Sequence, residues 1–250
     1  MPTAIHAIIP ARYQSSRFEG KPLALIDGKP MIQHVVERAQ ASAVLAQVVV
    51  ATDDERIARV VEGFGGRWVM TRPQHKSGTD RLAEAAGLLG LAEEDVVVNI
   101  QGDQPLFAPE VVAEVAQPML IEPDLPMATL MYKITRPEEI TNPNHVKTVF
   151  DREGRALYFS RAGIPFCRDG DDGEATYYRH LGFYAYRKKF LDTFVRLPMG
   201  QWERLEKLEQ LRALEYGYTI RVVLTSYDSV EVDTPADIRK VEGMLAQARA

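Results

Sequence analysis

A basic, hydroxyl-bearing loop follows the first apolar run of the chain. After Ala7–Pro10 the loop carries Arg12, Ser15, Ser16, Arg17, Gly20 and Lys21. In an open α/β sheet, ligands gather beyond the carboxyl ends of the strands, so such a loop places cations and donors where phosphates would bind. Pro10 and Pro22 restrict the backbone on either side and favour an ordered loop. We therefore predict a phosphate-binding loop with Arg12 and Lys21 as its principal cations.

Several common catalytic motifs do not fit the sequence. A dinucleotide-binding turn requires closely spaced glycines, and a P-loop requires Ser or Thr after its Lys. Here Gly20 stands alone and Pro22 follows Lys21. The chain also lacks His-Glu-x-x-His and Gly-x-Ser-x-Gly, so zinc hydrolysis and serine nucleophile chemistry have no support. An oxidoreductase or a P-loop ATPase is therefore disfavoured.

Two carboxylates differ from the ordinary surface acids. Asp103 follows the apolar run Val96–Ile100, and Asp233 follows a short strand pattern before Thr234-Pro235. Asp233 alone is more simply explained as a helix N-cap. As a pair, the two carboxylates together with phosphate oxygens and waters would satisfy an octahedral Mg²⁺ ion. We predict a Mg²⁺ site formed by Asp103 and Asp233.

The elements that must position these residues alternate between strands and helices in the first half of the chain. The apolar patterns predict strands at His6–Pro10, Gln47–Thr52, Arg67–Met70 and Asp95–Gln101, and helices at Met31–Ser42, Asp54–Phe64 and Asp80–Leu91. Nearly continuous apolar strands of this kind indicate a mainly parallel sheet covered on both faces. The second half predicts strands at Ala128–Ile134, Val146–Asp151, Ala156–Ser160, Leu181–Tyr186 and Tyr218–Thr225, and a helix at Trp202–Glu215. We expect these shorter strands to add antiparallel pairs to the same sheet.

Length and charge limit the class of protein. A chain of 250 residues, of which 46% are hydrophobic, fits one α/β domain. The net charge of -5 disfavours a nucleic-acid-binding protein. The single cysteine, Cys167, excludes an intrachain disulfide. The first residues lack a signal-peptide pattern and no apolar run approaches a membrane span, so we expect a cytoplasmic protein without a membrane segment.

Taken in order, several short motifs resemble those of the 3-deoxy-manno-octulosonate cytidylyltransferase (CMP-Kdo synthetase) family. They are Ile9–Tyr13, Gly20–Pro22, Met70–Arg72, Ser77–Arg81, Asn99–Asp103, Ala156–Arg161, Arg179–Gly182, Leu208–Arg212 and Val232–Pro235. The resemblance covers residues 5 to about 242. It implies a Rossmann-like three-layer α/β/α nucleotide-diphospho-sugar transferase fold with a mixed, mainly parallel sheet. It further implies a single domain, 1–250, with a nucleotide-binding half (1–125) and a sugar-binding and dimerisation half (126–250).

The same resemblance implies an activity and roles for individual residues. CTP would react with the sugar acid Kdo to give CMP-Kdo and pyrophosphate for lipopolysaccharide assembly, with Mg²⁺ as cofactor and a homodimer as the assembly. The implied catalytic residues are Arg12, Lys21, Asp103 and Asp233, of which the two aspartates would bind the metal. The implied nucleotide-binding residues are Ala11, Arg12, Ser16, Lys21, Arg72, Ser77, Gly78 and Gln101. The implied sugar-binding residues are Arg81, Arg161, His180, Tyr184, Glu209 and Gln210.

Two departures from the commonest family pattern leave the substrate open. Gln104 and Asp80 stand where glutamates are usual, which resembles the branch that uses 8-amino-3,8-dideoxy-manno-octulosonate. That amino sugar is the first alternative, because a few side chains can decide between an ammonium and a hydroxyl. A glycosyltransferase is disfavoured, since Asp103 is not part of an Asp-x-Asp motif. A non-catalytic nucleotide-binding module is disfavoured because both Asp103 and Asp233 are present.

Overall fold

The computed structural model describes residues 3–14, 18–168 and 175–249. Within these residues, nine strands form one sheet and two short strands form a hairpin. The main path across the sheet is β11-β7-β10-β6-β1-β4-β5, with β8 paired to β10 and to β9. The strands are β1 Ile5–Ala11, β2 Leu25–Ile26, β3 Lys29–Pro30, β4 Gln47–Thr52, β5 Arg67–Met70, β6 Val96–Asn99, β7 Met127–Lys133, β8 Lys147–Phe150, β9 Ala156–Ser160, β10 Tyr178–Arg187 and β11 Ile220–Thr225.

The sheet is parallel in the first half of the chain and mixed in the second. β1 pairs in parallel with β4 and β6, and β4 pairs in parallel with β5. β10 then runs antiparallel between β6 and β7, while β11 is parallel to β7. This arrangement confirms the predicted mixed, mainly parallel sheet. It also places Tyr184 of β10 directly beside Asn99 of β6.

Helices cover both faces of the sheet because its strands are apolar on both sides. In β1, Ile5, Ala7 and Ile9 pack into one buried cluster, and Ile8 packs into the other. α1, α2 and α4 supply the first cluster, whereas α3, α6 and α8 supply the second. The helices are α1 Met31–Gln40, α2 Glu55–Gly63, α3 Gly78–Leu88, α4 Glu110–Ile121, α5 Glu138–Thr141, α6 Lys188–Phe194, α7 Gln201–Glu206, α8 Gln210–Glu215 and α9 Pro235–Arg249. The three-layer α/β/α architecture is therefore confirmed.

One predicted helix is wrong in its continuity. The predicted helix Trp202–Glu215 is divided into α7 and α8, because Lys207 adopts a left-handed conformation with φ of 55°. This conformation ends α7, as αL residues commonly do at helix C-termini. The break lets buried Leu208 turn inward and brings Glu209 to the start of α8.

Among the described residues, no helix combines the length and the apolar surface that crossing a membrane requires.

Candidate active site

A cleft of about 220 Å³ opens at the edge of the sheet where β1 and β6 end. These strands are parallel neighbours, so the loops that follow them leave the sheet side by side. The start of α3 forms another wall, because a Cβ on Gly78 would lie 3.5 Å from Pro10 Cγ. The residues that line the cleft are Pro10, Ala11, Arg12, Lys21, Pro22, His75, Ser77, Gly78, Arg81, Gln101, Gly102 and Asp103. Most of the predicted nucleotide-binding residues therefore meet in one place.

The loop after β1 carries the two predicted cations. Arg12 is exposed and borders the cleft, and no acid of the described segments pairs with its guanidinium. Gly20 has φ of 70°, donates its N–H to the Tyr13 carbonyl at 2.9 Å, and packs against the Tyr13 ring. Lys21 then opens a 3₁₀ turn that buries Pro22. This fold of the loop directs both cations to the same cleft. Ser16, the remaining predicted donor of the loop, lies outside the described residues.

The Lys21 ammonium lies between the two predicted metal ligands. Its Nζ is 2.7 Å from Asp103 Oδ2 and 3.6 Å from Asp233 Oδ1, and it donates to the Val232 carbonyl at 3.0 Å. The Val232 N–H in turn donates to the Asp103 carbonyl at 2.9 Å. The segment before α9 is thereby attached to the loop after β6. Residues 103 and 233, far apart in sequence, thus share one cation.

The donor set of this pair fits a Mg²⁺ ion. Mg²⁺ commonly binds through one or two carboxylates and completes its octahedron with water and substrate phosphates. Asp103, which lines the cleft, and Asp233 provide two such carboxylates, and both side chains are partly exposed. Within the described ranges no three acidic, histidine or cysteine side chains converge on one point. The arrangement therefore suits an ion that would share its ligands with a phosphate-bearing substrate.

A third carboxylate, Glu231, lies near this pair and was not predicted. Its Oε1 accepts a hydrogen bond from Gln104 Nε2 at 3.1 Å. Partial desolvation in the crevice, followed by the charges of Asp103 and Asp233, raises the pKa of Glu231, although the Gln104 hydrogen bond opposes this rise. No motif of the family marks this position. The only signal in the sequence was the unusual Gln104, whose partner could not be inferred.

Ser77 and Gly78 begin α3 at the wall of the cleft. Ser77 is the N-cap, and its Oγ accepts from the Asp80 N–H at 3.1 Å while Asp80 Oδ2 accepts from the Ser77 N–H at 3.2 Å. This capping box gives Asp80 a structural role at the helix start. The N-terminus of a helix favours negative charge. α3 therefore adds its positive dipole end to the cleft.

The loop before α3 is attached to that helix through Glu84. Arg72 donates its N–H and its Nε to the Glu84 carboxylate, each at 2.9 Å, and His75 Nε2 also contacts that carboxylate. Burial raises the pKa of Glu84, but these hydrogen bonds outweigh it and lower the pKa to about 2. Arg72 itself is outside the cleft lining and its side chain is 75% exposed. His75, which the motif analysis did not single out, lines the cleft instead.

Arg81 borders the cleft but is already paired. It is 4% exposed, donates to Asp53 Oδ2 at 2.9 Å and to Thr71 Oγ1 at 2.5 Å. Asp54, the neighbour of Asp53, accepts from the Arg56 N–H as N-cap of α2. The acidic pair after β4 thus supports the walls of the site.

Four of the remaining predicted sugar-side residues lie in two groups, one on β10 and one at the start of α8. His180 and Tyr184 lie together on β10, with ring centroids 5.3 Å apart. Glu209 accepts from the Thr79 hydroxyl at 2.6 Å, and Gln210 beside it is buried. Arg161 is elsewhere engaged, because it donates to the carbonyls of Glu206 and Pro143 at 2.7 and 2.9 Å. The first of these carbonyls belongs to the last turn of α7, where a cation is favourable.

His180 is held as a neutral ring. The Thr129 hydroxyl donates to the Phe183 carbonyl at 2.7 Å, so its oxygen accepts from His180 Nε2 at 2.9 Å. Burial lowers the pKa of His180 to about 3. Burial likewise raises the pKa of Tyr184 far above its usual range. Both rings therefore offer neutral hydrogen-bonding groups.

Comparison with known proteins identifies relatives of this chain over nearly its whole length. The model of the cytidylyltransferase family matches residues 6–220. The chain is 59% identical to the 3-deoxy-manno-octulosonate cytidylyltransferase of Syntrophus aciditrophicus (strain SB), over 96% of this chain and 97% of the relative. It is 58% identical to the 8-amino-3,8-dideoxy-manno-octulosonate cytidylyltransferase of Shewanella piezotolerans (strain WP3 / JCM 13877), with the same coverage.

A solved structure extends the likeness to three dimensions. The CMP:2-keto-3-deoxy-manno-octonic acid synthetase complexed with CTP superimposes with a TM-score of 0.92 at 44% identity, over 98% of this chain and 100% of that one. The family match, the two relatives and the superposition each cover most of this chain. On these grounds the chain belongs to the cytidylyltransferase family.

Proposed function

We propose that the chain transfers a cytidylyl group from CTP to a 3-deoxy-octulosonate sugar acid and releases pyrophosphate. The observation that carries this proposal is the cleft lined by Arg12, Lys21 and Asp103, where the Lys21 ammonium also pairs with Asp233. Cations for a triphosphate and oxygen ligands for a metal are together what nucleotidyl transfer requires. The relatives named above act on these sugar acids, which supports the same substrate class here.

In the proposed reaction, the anomeric hydroxyl of the sugar acid attacks the α-phosphorus of CTP. A new phosphorus–oxygen bond forms, the bond to the β-phosphate breaks, and the hydroxyl proton is lost to solvent or a phosphate oxygen. Arg12 and Lys21 would neutralise the charge that develops on the leaving pyrophosphate. Catalysis of this kind depends mainly on position and charge, so no strong general base is needed.

Asp103 and Asp233 would hold Mg²⁺ in this reaction. When bound, the ion would neutralise phosphate charge and favour ionisation of the attacking hydroxyl. Other residues of the chain would bind the cytosine and the sugar acid. Gln101, Ser77 and Gly78, together with Ala11, would present polar groups to the cytosine, and His180, Tyr184, Glu209 and Gln210 would contact the sugar acid.

The proposal also includes the oligomeric state of the enzyme. We propose a homodimer that covers exposed apolar side chains of the second half, among them Leu157, Phe166 and Leu205. Light scattering should then give twice the mass of the chain.

We place the enzyme in the cytoplasm, where CTP is available, and in lipopolysaccharide biosynthesis as the relatives' substrates suggest.

Pyrophosphate release with CTP, Mg²⁺ and each of the two sugar acids tests the function. We expect turnover with at least one sugar acid, and we expect Asp103→Asn to lower kcat by roughly a hundredfold or more because a charged metal ligand is lost. Glu62→Gln is the matched control. It makes the same charge change at an exposed position near the end of α2, away from the carboxyl ends of the strands.

Two results would contradict the proposal. If neither sugar acid led to pyrophosphate release, cytidylyl transfer to this class of substrate would be rejected. Normal turnover of Asp103→Asn in Mg²⁺ would reject the metal assignment. A glycosyltransferase, the competing enzyme class, would release no pyrophosphate from CTP.

A further inference from the structure

Thr79 lies in the first turn of α3, and the proposed reaction gives it no role. Ser77, Gly78 and Arg81 around it line the cleft, whereas Thr79 does not. Its side chain is buried instead, and its hydroxyl donates to Glu209 Oε2 at 2.6 Å. This hydrogen bond links the helix whose start lines the cleft to the start of α8.

The carboxylate of Glu209 interacts through both of its oxygens. Oε2 accepts from Thr79, and Oε1 lies 3.6 Å from Arg212 Nη2. Arg212 donates to Glu203 from Nε at 2.7 Å and from Nη2 at 2.6 Å. Arg212 therefore provides a charge to Glu209 at a longer distance, while Thr79 provides a short, directional hydrogen bond.

The surroundings of Glu209 act on its charge as well as on its direction. Burial raises the pKa of the Glu209 carboxyl, and the charge of Asp80 adds to this rise. The hydrogen bond from Thr79, the charge of Arg212 and a hydrogen bond from Ser77 each act to lower the same pKa. The N-terminus of a helix also favours a nearby negative charge. Thr79 thus helps to keep the carboxylate ionised.

The Glu209 carboxylate is still accessible to a ligand. Its side chain is 30% exposed, although that of Arg212 beside it is only 10% exposed. Ser77, which lines the cleft, also forms a hydrogen bond with this carboxylate. The carboxylate therefore lies next to the wall of the cleft, with part of its surface free for a substrate.

We propose that Thr79 is a positioning residue, whose hydroxyl fixes the Glu209 carboxylate in the orientation that binds a hydroxyl group of the sugar acid. This inference rests on the proposed function and on the sugar-side role of Glu209. An ionised carboxylate accepts hydrogen bonds from hydroxyl groups. A side chain that is already oriented loses less freedom when it binds a ligand. Thr79 acts through Glu209 and needs no contact with either substrate.

The first test removes the Thr79 hydroxyl from the full-length enzyme and measures pyrophosphate release with CTP and Mg²⁺. Thr79→Val keeps the shape of the side chain but has no donor. We expect it to lower kcat/KM for the better sugar acid by roughly tenfold, because a hydrogen bond to a charged group is lost. The KM for CTP should stay within about twofold, because Thr79 does not line the cleft. Thr79→Ser retains the hydroxyl and should restore most of the activity.

Thr148→Val is the matched control. Thr148 is also buried, and its hydroxyl donates to the Tyr158 carbonyl at 3.2 Å between β8 and β9. The control therefore loses a buried hydroxyl and its hydrogen bond at a position that does not line the cleft. We expect it to turn over as the unmodified enzyme does.

A double substitution tests whether Thr79 acts through Glu209. Glu209→Ala removes the carboxylate and should lower kcat/KM for the sugar acid at least as much as Thr79→Val does. In the Glu209→Ala background, Thr79→Val should cost no more than about a further twofold, because both changes remove the same interaction. Additive losses would show that Thr79 acts by another route and would reject the positioning role.

The outcomes separate this inference from the function on which it rests. If Thr79→Val has no effect, if it raises the KM for CTP and for the sugar acid alike, or if Thr79→Ser fails to restore activity, the positioning role is rejected while cytidylyl transfer stands. If the unmodified enzyme turns over neither sugar acid, the proposed function fails and the inference fails with it. Thermal unfolding well above the assay temperature excludes a folding defect in Thr79→Val. Should that variant not fold, Thr79→Ala, which also lacks the donor, gives the same test.

Discussion

At the scale of single residues, Lys21 connects the two ends of the site. Its ammonium contacts the carboxylate of Asp103, which follows β6, and that of Asp233, which precedes α9. In the proposed reaction the same ammonium also binds the triphosphate. A cation in this position reduces the repulsion between Asp103 and Asp233. It also competes with a metal ion for the same oxygens.

This double role leads to opposite expectations for turnover and for metal binding. We expect Lys21→Met to lower kcat by roughly a hundredfold, because a cation that would stabilise the leaving pyrophosphate is lost. We expect the same variant to bind Mn²⁺ more tightly in the absence of CTP, because the ammonium no longer competes for Asp103 and Asp233. Paramagnetic resonance measures the second quantity without any turnover. Unchanged Mn²⁺ affinity would show that the aspartates are not the metal ligands.

Sequence patterns predicted the residues of the cleft better than their partners. Arg12, Lys21 and Asp103 could be predicted because they follow apolar strands at the edge where parallel sheets bind ligands. The pairing of Arg81 with Asp53 and the engagement of Arg161 by α7 could not be predicted. Both depend on contacts between residues that are distant along the chain, and charge alone does not reveal them.

At the scale of elements, the start of α3 combines a structural and a binding role. The resemblance to the family assigned Ser77 to the nucleotide, and the structure adds that its hydroxyl caps the helix. The predicted helix began at Asp80, because the apolar spacing that defines a helix does not extend to its cap. The first turn therefore had to be found from the capping hydrogen bonds.

Substitutions at Ser77 can separate these two roles. Ser77→Ala should lower the free energy of unfolding by about 1 kcal/mol through loss of the N-cap. Ser77→Asp retains a capping oxygen and should restore that stability, yet its negative charge should raise the KM for CTP if the side chain faces the nucleotide. Chemical denaturation and steady-state kinetics measure the two effects. Equal stability of Ser77→Ala and the unmodified chain would contradict the capping role.

The loops after β1 and β6 approach each other at Gly102. A Cβ on Gly102 would lie 3.2 Å from the Pro10 carbonyl oxygen, whereas a Cβ on Gly87 in α3 would meet nothing within 4 Å. Gly102→Ala should therefore destabilise the fold by roughly 1–2 kcal/mol and lower turnover by shifting the Arg12 loop. Gly87→Ala should instead stabilise it by about 0.5–1 kcal/mol. Urea denaturation of the pair checks the contrast, and a stable, fully active Gly102→Ala would refute the close-approach argument.

At the scale of the whole molecule, one sheet joins strands from both halves of the chain. The sequence patterns predicted most strands and the class of sheet, since near-continuous apolar runs are typical of strands covered on both faces. They could not predict that β10 inserts between β6 and β7. Strand order depends on long-range pairing, and a local pattern contains no information about the neighbour. That insertion brings Gly182 beside the loop that carries Asp103.

The buried ring of His180 makes the stability of the whole fold depend on pH. Its pKa is about 3 in the folded protein, because burial disfavours the charged ring, against 6.5 in the unfolded chain. Between these values the unfolded chain binds a proton that the folded protein excludes, so stability falls as pH decreases from 6.5 towards 3. Above this window neither state is protonated at His180, and the ring's contribution is constant.

The contribution of His180 can be measured against a variant that does not titrate. His180→Gln keeps an amide donor for the Thr129 hydroxyl but cannot become charged. From about pH 6.5 to pH 4 the unmodified protein should lose up to about 1.4 kcal/mol more per pH unit than this variant, which is the limit for one proton. Carboxylates titrate in both proteins and cancel in the difference. If the unmodified protein and His180→Gln gave parallel curves of unfolding free energy against pH, His180 would bind its proton in the folded state as readily as in the unfolded chain. The inference that its ring is neutral and donates a hydrogen bond would then be wrong.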